Sequence, residues 1–121
     1  MLHEKIREYR RQILLENGVI TPQQQIGNDD VDEWKIVGLT DRKARRVWLN
    51  IHDIIKACET KFLHKKVICI KINVEEANSV QAQLLMHMSL NAIIGIHGAQ
   101  LTHGVLLPQD GFVLEVLPWI P

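Results

Sequence analysis

The sequence predicts a three-layer α/β domain built around a mainly parallel β-sheet. Two observations indicate this class: short apolar runs alternate with amphipathic stretches, and the runs are apolar throughout instead of alternating with polar residues. Strands separated by helices form parallel βαβ units, and continuous apolar strands suit a sheet that is covered on both faces. A chain of 121 residues is long enough for one such domain.

The amino-terminal segment precedes this alternation. A lead-in helix is predicted within residues 1–20, over residues 2–17, because apolar side chains recur at steps of three and four residues: Leu2, Ile6, Tyr9, Ile13 and Leu14. Gly18 lies where a helix C-cap belongs. Residues 21–33 are rich in Pro, Gln, Gly, Asn and Asp, and are interpreted as a loop.

Residues 34–121 carry the alternation and are interpreted as one domain. The predicted strands are WKIVGL, VICIKI, AIIGI and FVLEVL, at residues 34–39, 67–72, 92–96 and 112–117. Helices are predicted from Asn50 to about Thr60, from Asn78 or Ser79 onward, and over about 99–106. This rhythm is typical of a Rossmann-like domain.

Composition argues against several classes of function. The chain has 14 Lys and Arg against 14 Asp and Glu, and zero net charge is unusual for a dedicated nucleic-acid binder. The balance is uneven, because every Lys and Arg lies between Lys5 and Lys71. The opening is too charged for a signal peptide, and no apolar run is long enough for a membrane span. Cys58 and Cys69 are too few for a disulfide framework and are interpreted as buried small hydrophobic residues.

Three groups of residues are candidates for ligand binding, because open parallel sheets bind ligands outside the carboxyl ends of their strands. The basic run Asp41–Arg46 follows the first strand, His97-Gly98-Ala99 follows the third, and Glu115 lies in the last. Arginine binds phosphate oxygens in a fork, and a glycine turn that opens a helix presents N–H groups to a phosphate. The alternatives are a solvated basic surface, a plain turn and an exposed carboxylate.

Other chemistries lack support in the sequence. Six histidines are present, but there is no CxxC or HExxH motif, so no metal site is predicted. The nucleophile motif GxSxG and the dinucleotide motif GxGxxG are also absent.

A longer motif suggests a family. Residues 92–118, AIIGIHGAQLTHGVLLPQDGFVLEVLP, resemble the signature of glycosyltransferase family 61: a hydrophobic strand, an HGAGL or HGAQL turn, an apolar helix, a Leu-Pro turn and a strand with Glu. Two weaker matches are DRKARRVWLN at residues 41–50 and the opening helix IREYRRQILLENGV. Gln100 and the run 101–103 resemble two different branches of this family, so the branch stays open.

The resemblance implies a fold and an activity. The chain would be the carboxyl-terminal, nucleotide-sugar-binding half of a two-lobed glycosyltransferase of the secretory pathway (Golgi or endoplasmic reticulum). It implies metal-independent, inverting transfer of N-acetylglucosamine or a pentose from a UDP-sugar to a protein or polysaccharide acceptor, with no cofactor. Arg42 and Arg46 match family arginines that face the diphosphate, while the turn at His97, Gly98 and Ala99, and Glu115, match residues near the nucleotide.

The sequence also departs from the family pattern. Asp41 stands where the family usually has Ser, and a carboxylate beside a diphosphate weakens anion binding. An amino-terminal lobe is missing, so we expect a fragment that does not turn over substrate alone. The alternative hypothesis is a non-catalytic α/β module that binds a nucleotide or a partner, acting through an edge strand or through a face formed by Arg7, Arg10 and Arg11.

Overall fold

The computed structural model describes residues 2–22, 30–40, 50–73, 79–96 and 106–116. Within these residues the helices are α1 (Leu2–Glu16), α2 (Asp30–Glu33), α3 (Ile51–Phe62) and α4 (Val80–Met88), and a 3₁₀ turn at Leu63–Lys65 follows α3. The strands are β1 (Lys35–Thr40), β2 (Val67–Ile72), β3 (Ala92–Ile96) and β4 (Phe112–Val116).

All four strands are parallel and form one sheet in the order β2-β1-β3-β4. β1 pairs with β2 along its whole length, from Lys35 opposite Val67 to Thr40 opposite Ile72. β4 pairs with β3 from end to end, and Leu39 of β1 lies opposite Ile94 of β3. The predicted α/β class with a mainly parallel, Rossmann-like sheet is confirmed.

Helices cover both faces of this sheet, because successive side chains of a strand point to opposite sides. On the α1 face, Ile36 of β1 packs in a cluster whose members come from α1, α2 and three strands: Ile13, Leu14, Ile20, Val31, Trp34, Ile68, Ile72, Leu90 and Ile93. On the α3 face, Val37 and Leu39 pack with Ile51 and Ala92. The two clusters give the three-layer arrangement that the sequence predicts.

Local signals account for the ends of the helices. Gly18 has φ of 71°, which glycine adopts without strain, and the Val19 N–H donates to the Leu14 carbonyl over 3.1 Å, so α1 ends in a Schellman cap. Ser79 caps α4, because its hydroxyl oxygen accepts from the Ala82 N–H at 3.1 Å. Asn50 occupies the N-cap of α3 as predicted, but its side chain makes no capping hydrogen bond.

The stretch interpreted as a loop is partly helical. Residues 30–33 form α2, and Val31 and Trp34 are buried in the α1-side cluster. Trp34 therefore serves the core from just before β1, which begins one residue later than predicted. Two apolar side chains are enough to pack this polar segment against the core. A stretch this short shows no hydrophobic periodicity that would predict a helix. Residues 23–29 lie outside the described residues.

The interpretation of the two cysteines as separate buried hydrophobic residues is wrong, because Cys58 and Cys69 form a disulfide with their Cα atoms 6.2 Å apart, and Cys69 is only partly buried. Cys58 is buried on the inner side of α3, and α3 packs on β2, which carries Cys69 on the same face of the sheet. Hydrophobic patterning predicts the burial of each cysteine but says nothing about the distance between a helix and the strand beneath it.

Candidate functional site

The chain order of the strands creates a switch point between β1 and β3. From β1 the chain crosses to β2 at one side, then returns to β3 at the other side of β1. The connections on the two sides of such a point diverge and leave a crevice at the carboxyl ends of the strands, which is where doubly wound sheets bind their ligands. β1 ends at Thr40 and β3 at Ile96, so this rule predicts a ligand site at the ends of these two neighbouring strands.

The two predicted phosphate-binding segments follow, in the sequence, the two strands of this switch point. Residues 41–46, with Arg42 and Arg46, directly follow β1, and residues 97–99 directly follow β3. Arg42, Arg46, His97, Gly98 and Ala99 themselves lie outside the described residues. The neighbouring strands that precede these segments are thus established, while the roles of the five residues stay predictions.

Glu115 is the predicted site residue that the structure describes. It is the penultimate residue of β4, is exposed, and lies opposite Gly95 of β3. Gly95 carries no side chain, so none of β3 stands directly beside the carboxylate. One strand separates Glu115 from the switch point, which puts it about 10 Å from β1 at the usual strand spacing. Its role near a nucleotide also stays a prediction.

Arg10 lies at the amino ends of the strands, opposite the switch point. Sequence patterning assigned this residue to an exposed basic face. Its guanidinium is buried and donates to the carbonyls of Ser89, Val31 and Trp34 and to Asn91 Oδ1, at 2.5 to 3.0 Å. Burial lowers the pKa of Arg10, and the nearby Asp32 partly offsets that effect. The proposed surface of Arg7, Arg10 and Arg11 is therefore wrong for Arg10, which is a structural cation.

Asn91 extends this network to three strands, and sequence patterning did not find it. Its side-chain Oδ1 accepts from the Ile36 N–H at 2.9 Å, and its own N–H donates to the Ile36 carbonyl at 2.8 Å. Its carbonyl accepts from the Phe112 N–H at 3.3 Å. Asn91 thus joins the beginnings of β1, β3 and β4, and an asparagine directly before a buried strand was the available signal.

Among the described residues, no three His, Cys, Asp or Glu side chains are grouped as metal ligands would be. No helix in the described part of the chain combines the length and the apolar character that crossing a membrane requires.

Comparison with known proteins identifies the family. The model of the family described as Glycosyltransferase 61 matches residues 4–114, which is nearly the whole chain and includes both predicted phosphate-binding segments. The chain belongs to glycosyltransferase family 61. The family resemblance that the HGAQL motif suggested is therefore confirmed.

Two curated relatives come from rice, Oryza sativa subsp. japonica. The family 61 chain is 31% identical over 86 residues to alpha-1,3-arabinosyltransferase XAT2, which covers 67% of this chain and 13% of that protein. It is 35% identical over 78 residues to alpha-1,3-arabinosyltransferase XAT3, covering 64% of this chain and 13% of that protein. The chain thus spans about an eighth of the length of these relatives.

Proposed function

We propose that this chain is the donor-binding lobe of a glycosyltransferase and binds a UDP-sugar at the switch point between β1 and β3. The observation that carries the proposal is the adjacency of these strands, each followed at once by a segment suited to phosphate. Membership of family 61 supports the reaction class.

The two segments divide the work of binding a diphosphate. Arg42 and Arg46 supply positive charge and pair with phosphate oxygens. The backbone N–H groups of His97, Gly98 and Ala99 supply preorganised dipoles, and Glu115 accepts hydrogen bonds from ribose hydroxyls. Residues 72–121 contain no Lys or Arg, so the charge at this site comes from the segment after β1.

The proposed reaction is an inverting transfer without a metal ion. An acceptor hydroxyl oxygen attacks the anomeric carbon of the donor sugar, the bond from that carbon to the diphosphate breaks, and UDP leaves with the bonding electrons. The hydroxyl proton passes to a base that none of the assigned residues provides. Arg42 and Arg46 stabilise the charge that develops on UDP, as fixed cations in an active site do.

The identity of the sugar and of the acceptor is part of the proposal. N-acetylglucosamine and a pentose are the candidate sugars, and the arabinosyltransferase names of the two relatives favour the pentose. The acceptor is a polysaccharide or a glycoprotein. Since the matched region is 13% of each relative, we place acceptor binding and the catalytic base outside it, and expect this chain alone to bind donor without transferring sugar.

We also propose that the chain folds in the secretory pathway, in the Golgi or the endoplasmic reticulum. The support is the disulfide between Cys58 and Cys69, because disulfides persist in oxidising compartments and are rare in the cytosol.

Thermal unfolding with a panel of nucleotides tests donor binding. We expect UDP and UDP-pentoses to raise Tm, since a ligand at 100 times its Kd stabilises the native state by about 2.7 kcal/mol. Arg42→Ala and Arg46→Ala should each weaken UDP binding about tenfold, the value of one charge-assisted contact. The matched control is Arg7→Ala on α1, which should leave UDP affinity unchanged. Insensitivity of the native chain to every nucleotide would reject the proposal.

Substitution of Asp41 distinguishes donor binding from the alternative hypothesis, a non-catalytic α/β module. A carboxylate beside a diphosphate weakens anion binding, which favours the module. If the site still binds donor, Asp41→Ser should tighten UDP binding. If neither the native chain nor this variant responds to nucleotides, the module is the better description.

A further inference from the structure

Thr40 is a buried polar residue at the carboxyl end of β1. Its exposed fraction is 3%, although it is the last residue of the strand and directly precedes the segment Asp41–Arg46. The other buried side chains of β1 are hydrocarbon: Ile36, Val37 and Leu39. Valine is β-branched like threonine and would fill this position without a hydroxyl, so packing alone does not account for Thr40.

The hydroxyl of Thr40 differs from the other buried polar groups in its bonding. The described residues contain four buried polar side chains, and three of them, Arg10, His87 and Ser89, bond to main-chain carbonyls at 2.5 to 3.0 Å. Within the same part of the chain, the Thr40 hydroxyl makes no hydrogen bond. A buried hydroxyl without a partner costs folding free energy, so its presence at this position calls for a functional reason.

The register of the sheet puts Thr40 at the switch point and defines the face on which it lies. Thr40 lies opposite Ile72 of β2, which packs in the α1-side cluster. Leu39 precedes it and packs on the α3 face, so the alternation of a strand directs Thr40 to the α1 face. On the other flank, the pairing of Leu39 with Ile94 of β3 brings Thr40 beside Gly95.

Thr40 and Glu115 lie in one row across the sheet, on the same face. Gly95 lies between them, since it is beside Thr40 and opposite Glu115. Two strand spacings separate the two residues, which is about 10 Å. A nucleoside diphosphate carries ribose hydroxyls in one part and phosphate oxygens in another, so a single molecule laid across β3 can contact both residues.

We propose that Thr40 is a further donor-binding residue, whose hydroxyl donates a hydrogen bond to the diphosphate of the UDP-sugar. This role rests on the proposed function and deepens it. The diphosphate belongs at the β1 end of the row, because Arg42 and Arg46 follow Thr40 in the sequence, and the ribose belongs at the β4 end with Glu115. A hydroxyl can donate to an anion, and such a bond is stronger than one between neutral groups. Donor binding thus gives the Thr40 hydroxyl the partner that the described residues do not supply.

Two substitutions at Thr40 separate binding from packing. Thr40→Val keeps the branched shape and removes the hydroxyl, while Thr40→Ser keeps the hydroxyl and removes a methyl group. Isothermal titration calorimetry with UDP should show a Kd raised about tenfold or more in Thr40→Val, the effect of one hydrogen bond to a charged group, and changed less than about threefold in Thr40→Ser. The control is Thr60→Val on α3, which removes an exposed hydroxyl that donates to the Lys56 carbonyl and should leave UDP affinity unchanged.

Stability without nucleotide gives a readout that a purely structural role would not produce. Thr40→Val should resist urea at least as well as the native chain, because a methyl group replaces a buried hydroxyl that has no partner. Thr40→Ser should unfold at a lower urea concentration, because it leaves a gap the size of a methyl group. The variant that binds UDP weakly is therefore the stable one, whereas a role in packing alone predicts that affinity and stability fall together.

Uridine locates the contact on the nucleotide. Titrations followed by NMR should give the native chain and Thr40→Val the same affinity for uridine, since this probe lacks phosphate. Native UDP affinity in Thr40→Val, equal weakening toward uridine and UDP, or weak UDP binding by Thr40→Ser would each overturn the role of Thr40 and leave donor binding intact. A native chain that binds no UDP overturns both proposals.

Discussion

The amino ends and the carboxyl ends of the strands are expected to serve different purposes. At the amino ends of the strands, Arg10 and Asn91 link α1, α2 and three strands through buried and partly buried hydrogen bonds. At the carboxyl ends, β1 and β3 end beside each other, and each is followed in the sequence by a predicted phosphate-binding segment. We therefore expect residues at the amino ends of the strands to determine stability and residues at the carboxyl ends to determine ligand binding. Substitutions at the two ends should have separable effects.

Arg10→Ala should give the largest loss of stability. Four oxygen acceptors would lose their donor, and an unsatisfied buried polar group costs about 1–3 kcal/mol, so we expect the free energy of unfolding to fall by about 3–5 kcal/mol. Urea denaturation measures this loss. The control is Arg7→Ala, three residues earlier on the same helix, where an ion pair with the exposed Asp32 is worth about 1 kcal/mol or less.

Nucleotide binding supplies the second half of that experiment. The folded fraction of Arg10→Ala should bind UDP as the native chain does, because Arg10 lies at the amino ends of the strands and the switch point lies at their carboxyl ends. An Arg10→Ala variant that is as stable as Arg7→Ala, or that folds but no longer binds UDP, would contradict this separation of stability from nucleotide binding.

Removal of the disulfide should have the next largest effect. The bond joins two residues separated by 11 positions in the sequence, and the double variant Cys58→Ala with Cys69→Ala should lose about 2–3 kcal/mol of unfolding free energy. Reductant should lower Tm of the native chain and leave Tm of the double variant unchanged. If reductant lowers both equally, its action lies elsewhere than at this bond.

Asn91→Ala should have a smaller effect, about 1–2 kcal/mol, because it removes the acceptor of the buried Ile36 N–H and one of four acceptors of Arg10. Asn91→Asp is the matched control, since it keeps an oxygen for both donors. Chemical denaturation of the two variants compares them. An aspartate variant as unstable as the alanine variant would show that the hydrogen bonds to Oδ1 matter little.

Hydrophobic patterning predicted the strands and the parallel class, because buried strands are uniformly apolar and the connecting segments are not. It could not give the strand order, since β1 and β3 are equally apolar and neither indicates its neighbours. The switch point, and with it the adjacency of the two strands that precede the candidate segments, therefore required the structure. The motif at residues 97–101 predicted the family without any knowledge of that adjacency.

Arg10 shows why the remaining features escaped. It precedes Ile13 and Leu14 by three and four residues, so helical geometry puts it on the buried side of α1. Its charge alone groups it with Arg7 and Arg11 and predicts an exposed face. A lone charge within an apolar stripe is a signal for a buried network, but its acceptors, mostly main-chain carbonyls, leave no trace in the sequence.

The distances along the chain that Arg10 spans have a consequence for folding order. Its acceptors at Ser89 and Asn91 are 79 and 81 residues away, so α1 is synthesised long before the strand that holds it exists. Contacts of such long separation form late, because loop closure costs entropy before the contact gives any return. α1 should therefore dock after the transition state, and weakening the Arg10 network should speed unfolding while leaving the folding rate nearly constant.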